Sequence, residues 1–307
     1  MRAVRTIKLP RPSFPYSAPT VPTGLTPPPR RSPRSGPDYD TGWARRLPAR
    51  VGRAAFRDSV MRAVVATLAA PQLKGLDRLD GWRNDGTPLI FAANHHSHLD
   101  TPALLTSIPE PWRSKLVVGA AADYFFRNAA SSAISALLIG AIPIERTRVG
   151  RRSADRAAEL LHEGWSMLIF PEGGRSPDGW GQPFRGGAAY LALRCQAPVV
   201  PIHLEGSRHI LRKGKRLPTP ATVKVNFGSP MRPAAGEDTR RFATRIEQRV
   251  AELADETSTD WWAARQRARR GITPALTGPA ASGWRRAWAL GDPSRRRRRE
   301  QYRWPRV

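Results

Sequence analysis

The run Ala93-Asn94-His95-His96-Ser97-His98-Leu99-Asp100-Thr101-Pro102 gathers three imidazoles and one carboxylate in a single short stretch. An Asp that accepts a hydrogen bond from one imidazole nitrogen fixes the tautomer and leaves the other nitrogen as a general base. His95 and Asp100 are the pair with that potential. On one regular helix, residues five apart project about 140° apart, so the two can meet only across a loop. The apolar run before them reads as a strand over 88–93. Thr101-Pro102 reads as a helix start, a cap residue followed by Pro at the first helical position. A metal tract is the other reading of three clustered histidines. No His-Glu-x-x-His and no second ligand cluster follows, which weighs against it.

Two further clusters place arginines at strand exits, where α/β sheets bind their ligands. One is Gly140-Ala-Ile-Pro-Ile-Glu-Arg146-Thr-Arg148. The other is Phe170-Pro171-Glu172-Gly173-Gly174-Arg175-Ser176. Gly173 and Gly174 permit close backbone approach to a ligand, and an Arg fork suits a phosphate. Taken singly, an arginine of this kind is more often a surface residue. There is no Gly-x-Gly-x-x-Gly and no Walker loop, which disfavours a nucleotide fold. A fourth segment, Val200-Pro201-Ile202-His203-Leu204, reads by itself as a buried strand with a Pro at its edge.

These clusters need a scaffold, and the body of the chain alternates short apolar runs with helical patterns. Strands are predicted over 88–93, 115–118, 166–170, 198–204 and 222–227. Helices are predicted over 102–107, 125–139, 151–164, 186–195 and 237–255. Several strands are apolar on both faces, which calls for a sheet covered on both sides. The expected fold is therefore a three-layer α/β domain. Residues 51–70 form an amphipathic helix with Val51, Ala55, Val60, Val64 and Leu68 on one stripe. That stripe suits either core packing or a membrane surface. The longest apolar stretch, 129–144, contains three serines and Pro143. It is too short and broken to span a bilayer, and a buried helix is expected.

The chain has 307 residues and a formal net charge of +26. The charge is concentrated at the ends. Residues 1–56 carry 11 basic and 2 acidic side chains, and 261–307 carry 13 and 2. The first 50 residues hold 11 of the 30 prolines without apolar periodicity. Such a segment buries too little surface to offset its ordering entropy. Residues 1–48 are expected to be a disordered Pro/Arg-rich tail, 49–260 the folded domain, and 261–307 a basic Trp/Arg-rich C-terminal tail. The run Arg295–Arg299 is either a solvated charge run or an adhesive for anionic lipid. Trp261 and Trp262 suit a membrane interface or packing on the body. The start of the chain lacks the apolar core of a secretory signal. The use of 45 Arg against 6 Lys fits a G+C-rich bacterial genome. The lone Cys195 excludes an intrachain disulfide framework.

In order and spacing, the four clusters together resemble the glycerolipid acyltransferase family, over about 57–230. Asn94-His95-x4-Asp100 matches its first block, Gly140 to Arg146 its second, Phe170 to Ser176 its third and Val200-Pro201 its fourth. The resemblance implies that His95 takes the proton of an acceptor hydroxyl, which attacks an acyl thioester, and that Asp100 orients His95. It implies that Arg146, Glu172, Gly173 and Arg175 hold a glycerol phosphate. Gly174 departs from the family, where many members have Thr. The implied donor is acyl-CoA or acyl carrier protein, with no metal or redox cofactor. The implied acceptor is lysophosphatidate, or else another lysophospholipid or glycerol 3-phosphate, at the inner face of a membrane in the cytoplasm. Two other readings remain. In one the basic tails bind nucleic acid, for which the body shows no recognition signature. In the other the domain binds lipid without catalysis.

Overall fold

The computed structural model describes residues 35–145, 151–176, 179–210 and 217–278. Helices α1 (Leu47–Phe56) and α2 (Arg62–Ala69) are joined by a π-helical turn over Arg57–Met61. Strand β1 (Gln72–Lys74) and β2 (Ile90–Ala93) follow, then α3 (Asp100–Ser107), β3 (Leu116–Ala121), α4 (Ala122–Phe125), α5 (Ala129–Ile139) and β4 (Ala141–Ile144). The second half continues with α6 (Arg151–His162), β5 (Ser166–Ile169), α7 (Gly187–Cys195), β6 (Val199–Glu205), α8 (Ser207–Ile210) and β7 (Lys224–Phe227). It closes with α9 (Thr239–Ser258) and α10 (Trp261–Arg269).

The seven strands form one sheet in the order β1-β7-β6-β2-β5-β3-β4. Every pair is parallel except β6 with β7. Alternate residues of β2 serve opposite faces, as the period of a strand requires. Phe91 and Ala93 pack with Met61, Val65 and Leu104 on one side. Ile90 and Ala92 pack with Ala158, Leu161, Ala189 and Phe242 on the other. This is the three-layer α/β arrangement expected from strands apolar on both faces. From β2 the chain runs through α3 toward β3. From the adjacent β5 it runs through α7, on the opposite face, back to β6. The loops after β2 and β5 thus part at a topological switch point, where open α/β sheets place their ligands.

Several elements differ from the sequence expectation. The stretch 129–144 is a helix followed by a strand. Gly140 (φ +65°) caps α5 in the left-handed region, its N–H bonding to Ser135 O. A Cβ there would lie 3.1 Å from Leu116 O and Arg53, and Pro143 stands in β4. The helix is half-exposed, with only Ser132 and Ala136 buried. Residues 125–139 divide into α4 and α5 because Asn128 caps α5, its side chain accepting the Ser131 N–H at 2.8 Å. Asp100 itself opens α3, so Pro102 lies inside the first turn rather than at its start. Strand β1 was not foreseen: its three residues are all exposed and leave no periodic signal. Strand β6 is interior. Pro201 is tolerated because its carbonyl takes the Gly228 N–H at 2.8 Å, so its nitrogen faces the end of β7, where the ladder stops.

The boundaries of the tails also move. Residues 35–48 were expected to be disordered, yet Gly36 N–H donates to Phe126 O at 2.7 Å, and Tyr39 packs on Phe126 at 5.8 Å. Arg156 pairs with Asp40 at 2.7 Å. At the other end α10 belongs to the body. Arg267 bonds both oxygens of Asp255 on α9 at 2.6 and 2.8 Å. The remaining expectations of disorder, over 1–34 and 279–307, and the arginine run lie outside the described residues.

The helical stripe of α1 and α2 turns outward. Arg53, Arg57, Met61, Val65 and Ala69 are buried, at four-residue steps. Val51, Val60 and Val64 are 59%, 53% and 46% exposed. Arg53 is accommodated because its guanidinium donates to the carbonyls of Ala44 (2.5 Å), Leu137 (2.7 Å) and Ala136 (3.1 Å). Two of these belong to the last turn of α5, whose carbonyls have no partner within the helix. Burial, with help from neighbouring arginines, pulls the Arg53 pKa down to about 10, and it stays charged at neutral pH. Among the described residues no helix is long and apolar enough to cross a membrane.

Candidate active site

Strand β2 ends at Ala93, and Asn94 prolongs its pairing by side chain. Asn94 Nδ2 donates to Leu204 O at 2.9 Å, and Leu204 N–H donates to Asn94 Oδ1 at 2.7 Å. The main chain is thereby free to leave the sheet at His95. The loop then folds around one carboxylate oxygen. Asp100 Oδ2 accepts from His95 Nδ1 at 2.9 Å, from His96 N–H at 2.6 Å and from Ser97 N–H at 2.8 Å. Asp100 is fully buried. Burial opposes its charge, but His95, the facing Ser207 hydroxyl and the Ser97 N–H outweigh it and hold the carboxyl below its ordinary range. The two residues expected to pair from the sequence therefore do so. With the proton on Nδ1 directed at Asp100, Nε2 is the basic nitrogen.

The loop after β5 fixes the other face of the imidazole. Phe170 stacks on His95 with ring centroids 4.1 Å apart. Ser176 N–H donates to His95 O at 2.9 Å. Glu172, buried, accepts the His95 N–H on Oε1 at 2.9 Å and the Gln182 N–H on Oε2 at 3.1 Å. Burial, against these two bonds, raises its carboxyl to about 7. This differs from the phosphate-holding role that the family resemblance implies for Glu172. Both oxygens are spent on backbone donors, and a carboxylate repels a phosphate. Glu172 braces the two loops against each other.

Gly173 turns with φ +72°, and a Cβ there would lie 3.0 Å from the Arg185 side chain. Arg185 is a cation at this loop that motif reading missed. Its only sequence signal is its place ahead of Gly186-Gly187 and α7. Arg175 is half-buried on the His98 side. Burial first, then the charges of Arg175 and His95, lower the His98 pKa, and its ring stacks on Tyr124 at 5.8 Å. Arg146 lies outside the described residues. His203, in the fourth cluster, is a core residue: burial pushes its pKa down to about 3, so it is neutral. Motif reading also missed Phe170 as a stacking partner and Gln182, whose contacts cross from separate loops. Among the described residues no three His, Cys, Asp or Glu side chains come together as metal ligands.

Comparison with known proteins points to the family that the sequence motifs resemble. The Acyltransferase family model matches residues 72–205. Human 1-acyl-sn-glycerol-3-phosphate acyltransferase alpha is 29% identical over 179 residues, covering 56% of this chain and 61% of that protein. The chloroplastic 1-acyl-sn-glycerol-3-phosphate acyltransferase BAT2 of Brassica napus is 33% identical over 159 residues, covering 51% and 41%. The chain thus spans about three-fifths or less of the length of these relatives. The crystal structure of the 1-acyl-sn-glycerophosphate (LPA) acyltransferase PlsC from Thermotoga maritima shares the fold, with TM-score 0.53 and 22% identity over 72% of this chain and 84% of that one. Over residues 72–205 this chain is therefore similar to the acyltransferase family.

Proposed function

We propose that the chain is an O-acyltransferase that moves a fatty acyl group from a thioester to the free hydroxyl of 1-acyl-glycerol 3-phosphate, as the names of its relatives describe for them. The observation that carries this reading is the 2.9 Å contact of His95 Nδ1 with buried Asp100. A hydroxyl is a weak nucleophile and needs a base to take its proton as it attacks. His95 Nε2 removes that proton, the hydroxyl oxygen bonds to the thioester carbonyl carbon, and the carbon–sulfur bond breaks. The leaving thiolate takes the proton back from His95. Stacking on Phe170 and the bond to Asp100 fix the ring, so both substrates meet a base already in place. Arg175, Arg146 and the turn at Gly173 are the proposed phosphate site, with Arg185 beside it. The donor is acyl-CoA or acyl carrier protein, and no cofactor takes part.

The same reading places the protein at the inner face of a membrane. Leu47 and Val51 on α1, Val60 on the π-helical turn, Val64 on α2 and Ile134 on α5 are exposed apolar residues, and Arg53 ties α1 to α5. Such a face suits the headgroup–acyl boundary. The experiment is thiol release from oleoyl-CoA with lysophosphatidate, lysophosphatidylcholine, glycerol 3-phosphate or no acceptor. Release with lysophosphatidate alone supports the proposal. Equal release with every acceptor, or with none present, contradicts it.

A further inference from the structure

The segment C-terminal to α10 lies beyond the region matched by the family and returns to the candidate active site. Its origin is fixed: α10 is clasped to α9 by Arg267 and Asp255, and Ile272 N–H donates to Arg267 O at 3.0 Å. Seven residues after α10 the chain meets the loop that follows Glu172. Gly181 N–H donates to Leu276 O at 2.9 Å. The approach is so close that a Cβ on Gly181 would lie 3.1 Å from Leu276 Cβ. Gly278 (φ +71°) lies against the Trp180 indole, which a Cβ on it would reach at 2.5 Å.

The residue after Gly181 is Gln182, whose N–H donates to Glu172 Oε2 at 3.1 Å. The other Glu172 oxygen takes the His95 N–H at 2.9 Å. A continuous path of hydrogen bonds thus runs from the Leu276 carbonyl through the backbone of 181–182 and the Glu172 carboxyl to the main chain of His95. We propose that residues 272–278 are a strap that holds loop 179–182 down and, through Gln182 and Glu172, positions the His95 backbone. It is a positioning element and touches no reacting atom.

The test uses the full chain with Gly278→Val, which drives a branched side chain into the indole, and Trp180→Ala, which removes the indole. Trp180→Phe keeps a ring and serves as the conservative control. Hydrogen exchange is read at the Gly181, Gln182 and His95 amides, together with kcat and KM. Gly278→Val and Trp180→Ala are expected to speed exchange at all three amides about tenfold or more. They are expected to lower kcat about tenfold with KM for the thioester within twofold, while Trp180→Phe stays near wild type. Melting is followed in parallel, and if one variant fails to fold the other decides. Wild-type exchange at Gly181 and Gln182 in the folded variants overturns the strap. Faster exchange there with the His95 amide and kcat unchanged overturns its positioning role. The kcat arm rests on the acyl-transfer reading and the exchange arm does not. If wild type transfers no acyl group yet all three amides exchange faster, the strap stands and the acyl-transfer reading falls.

Discussion

Asn94 holds the backbone of Leu204 in both directions, donating to its carbonyl at 2.9 Å and accepting its N–H at 2.7 Å. A side chain here replaces one step of the β2–β6 ladder, and His95 is released from the sheet to meet Asp100. Asn94→Ala leaves two buried main-chain groups without partners, each costing about 1–3 kcal/mol. The expected loss of stability is about 2–5 kcal/mol, read as a lower urea midpoint. Asn94→Asp keeps the acceptor but sets a carboxylate against the Leu204 carbonyl. It is expected to be destabilising as well, and more so at pH 7 than at pH 4.

Glu172 makes stability depend on pH in a defined direction. Its carboxyl titrates near 7 in the folded chain, above its ordinary value of about 4.3 in the unfolded one. Between those values the folded state holds a proton that the unfolded state has lost, so stability falls as pH rises through that window. The full change is roughly 4 kcal/mol at 1.36 kcal/mol per unit. Glu172→Gln removes this slope. Its amide accepts only one of the two backbone N–H bonds, so turnover is also expected to fall. Denaturant titrations of both proteins at pH 4.5, 6 and 8 check the slope. Equal slopes in the two would show that Glu172 is not the group responsible.

The outward stripe of α1 and α2 makes a prediction about surfaces. Val60→Glu together with Val64→Glu is expected to reduce sedimentation with anionic vesicles several-fold. Thermal stability should hardly change, since exposed substitutions usually move it by less than about 0.5 kcal/mol. Arg53→Met should do the opposite. It strips donors from the carbonyls of Ala44, Ala136 and Leu137 and lowers stability by several kcal/mol, measured by the denaturant midpoint.

Ser207 opens α8, and its hydroxyl, like Asp100 Oδ1, is buried without a hydrogen-bond partner. It is fully buried, and its hydroxyl helps to keep Asp100 ionised. Ser207→Ala is expected to lower kcat about tenfold with little change in KM, as measured by steady-state kinetics. A change confined to KM would place Ser207 with substrate binding instead.

How far the sequence foretold this site follows from the separation of the partners. His95 and Asp100 lie in one short loop, and the strand and helix that flank it carry strong local signals, so their pairing was legible. The three-layer sheet was legible for a similar reason, since strands apolar on both faces have few other solutions. The bracing by Glu172 joins residues 77 apart, and nothing local announces which backbone donors a carboxylate will find. The face of α1 and α2 was legible only as a stripe with two readings. The choice between them depends on Arg53 reaching carbonyls 83 and 84 residues away. Strand β1, exposed throughout, carried no pattern to read.

The central claim is that His95, held by Asp100, is the base for acyl transfer. The direct measurement is thiol release from oleoyl-CoA with lysophosphatidate, comparing wild type with His95→Ala and Asp100→Asn, each shown by circular dichroism to be folded. The account predicts turnover in the wild type, a loss of at least about 10²-fold in His95→Ala, and a large loss in Asp100→Asn. Turnover in folded His95→Ala equal to that of the wild type would contradict it.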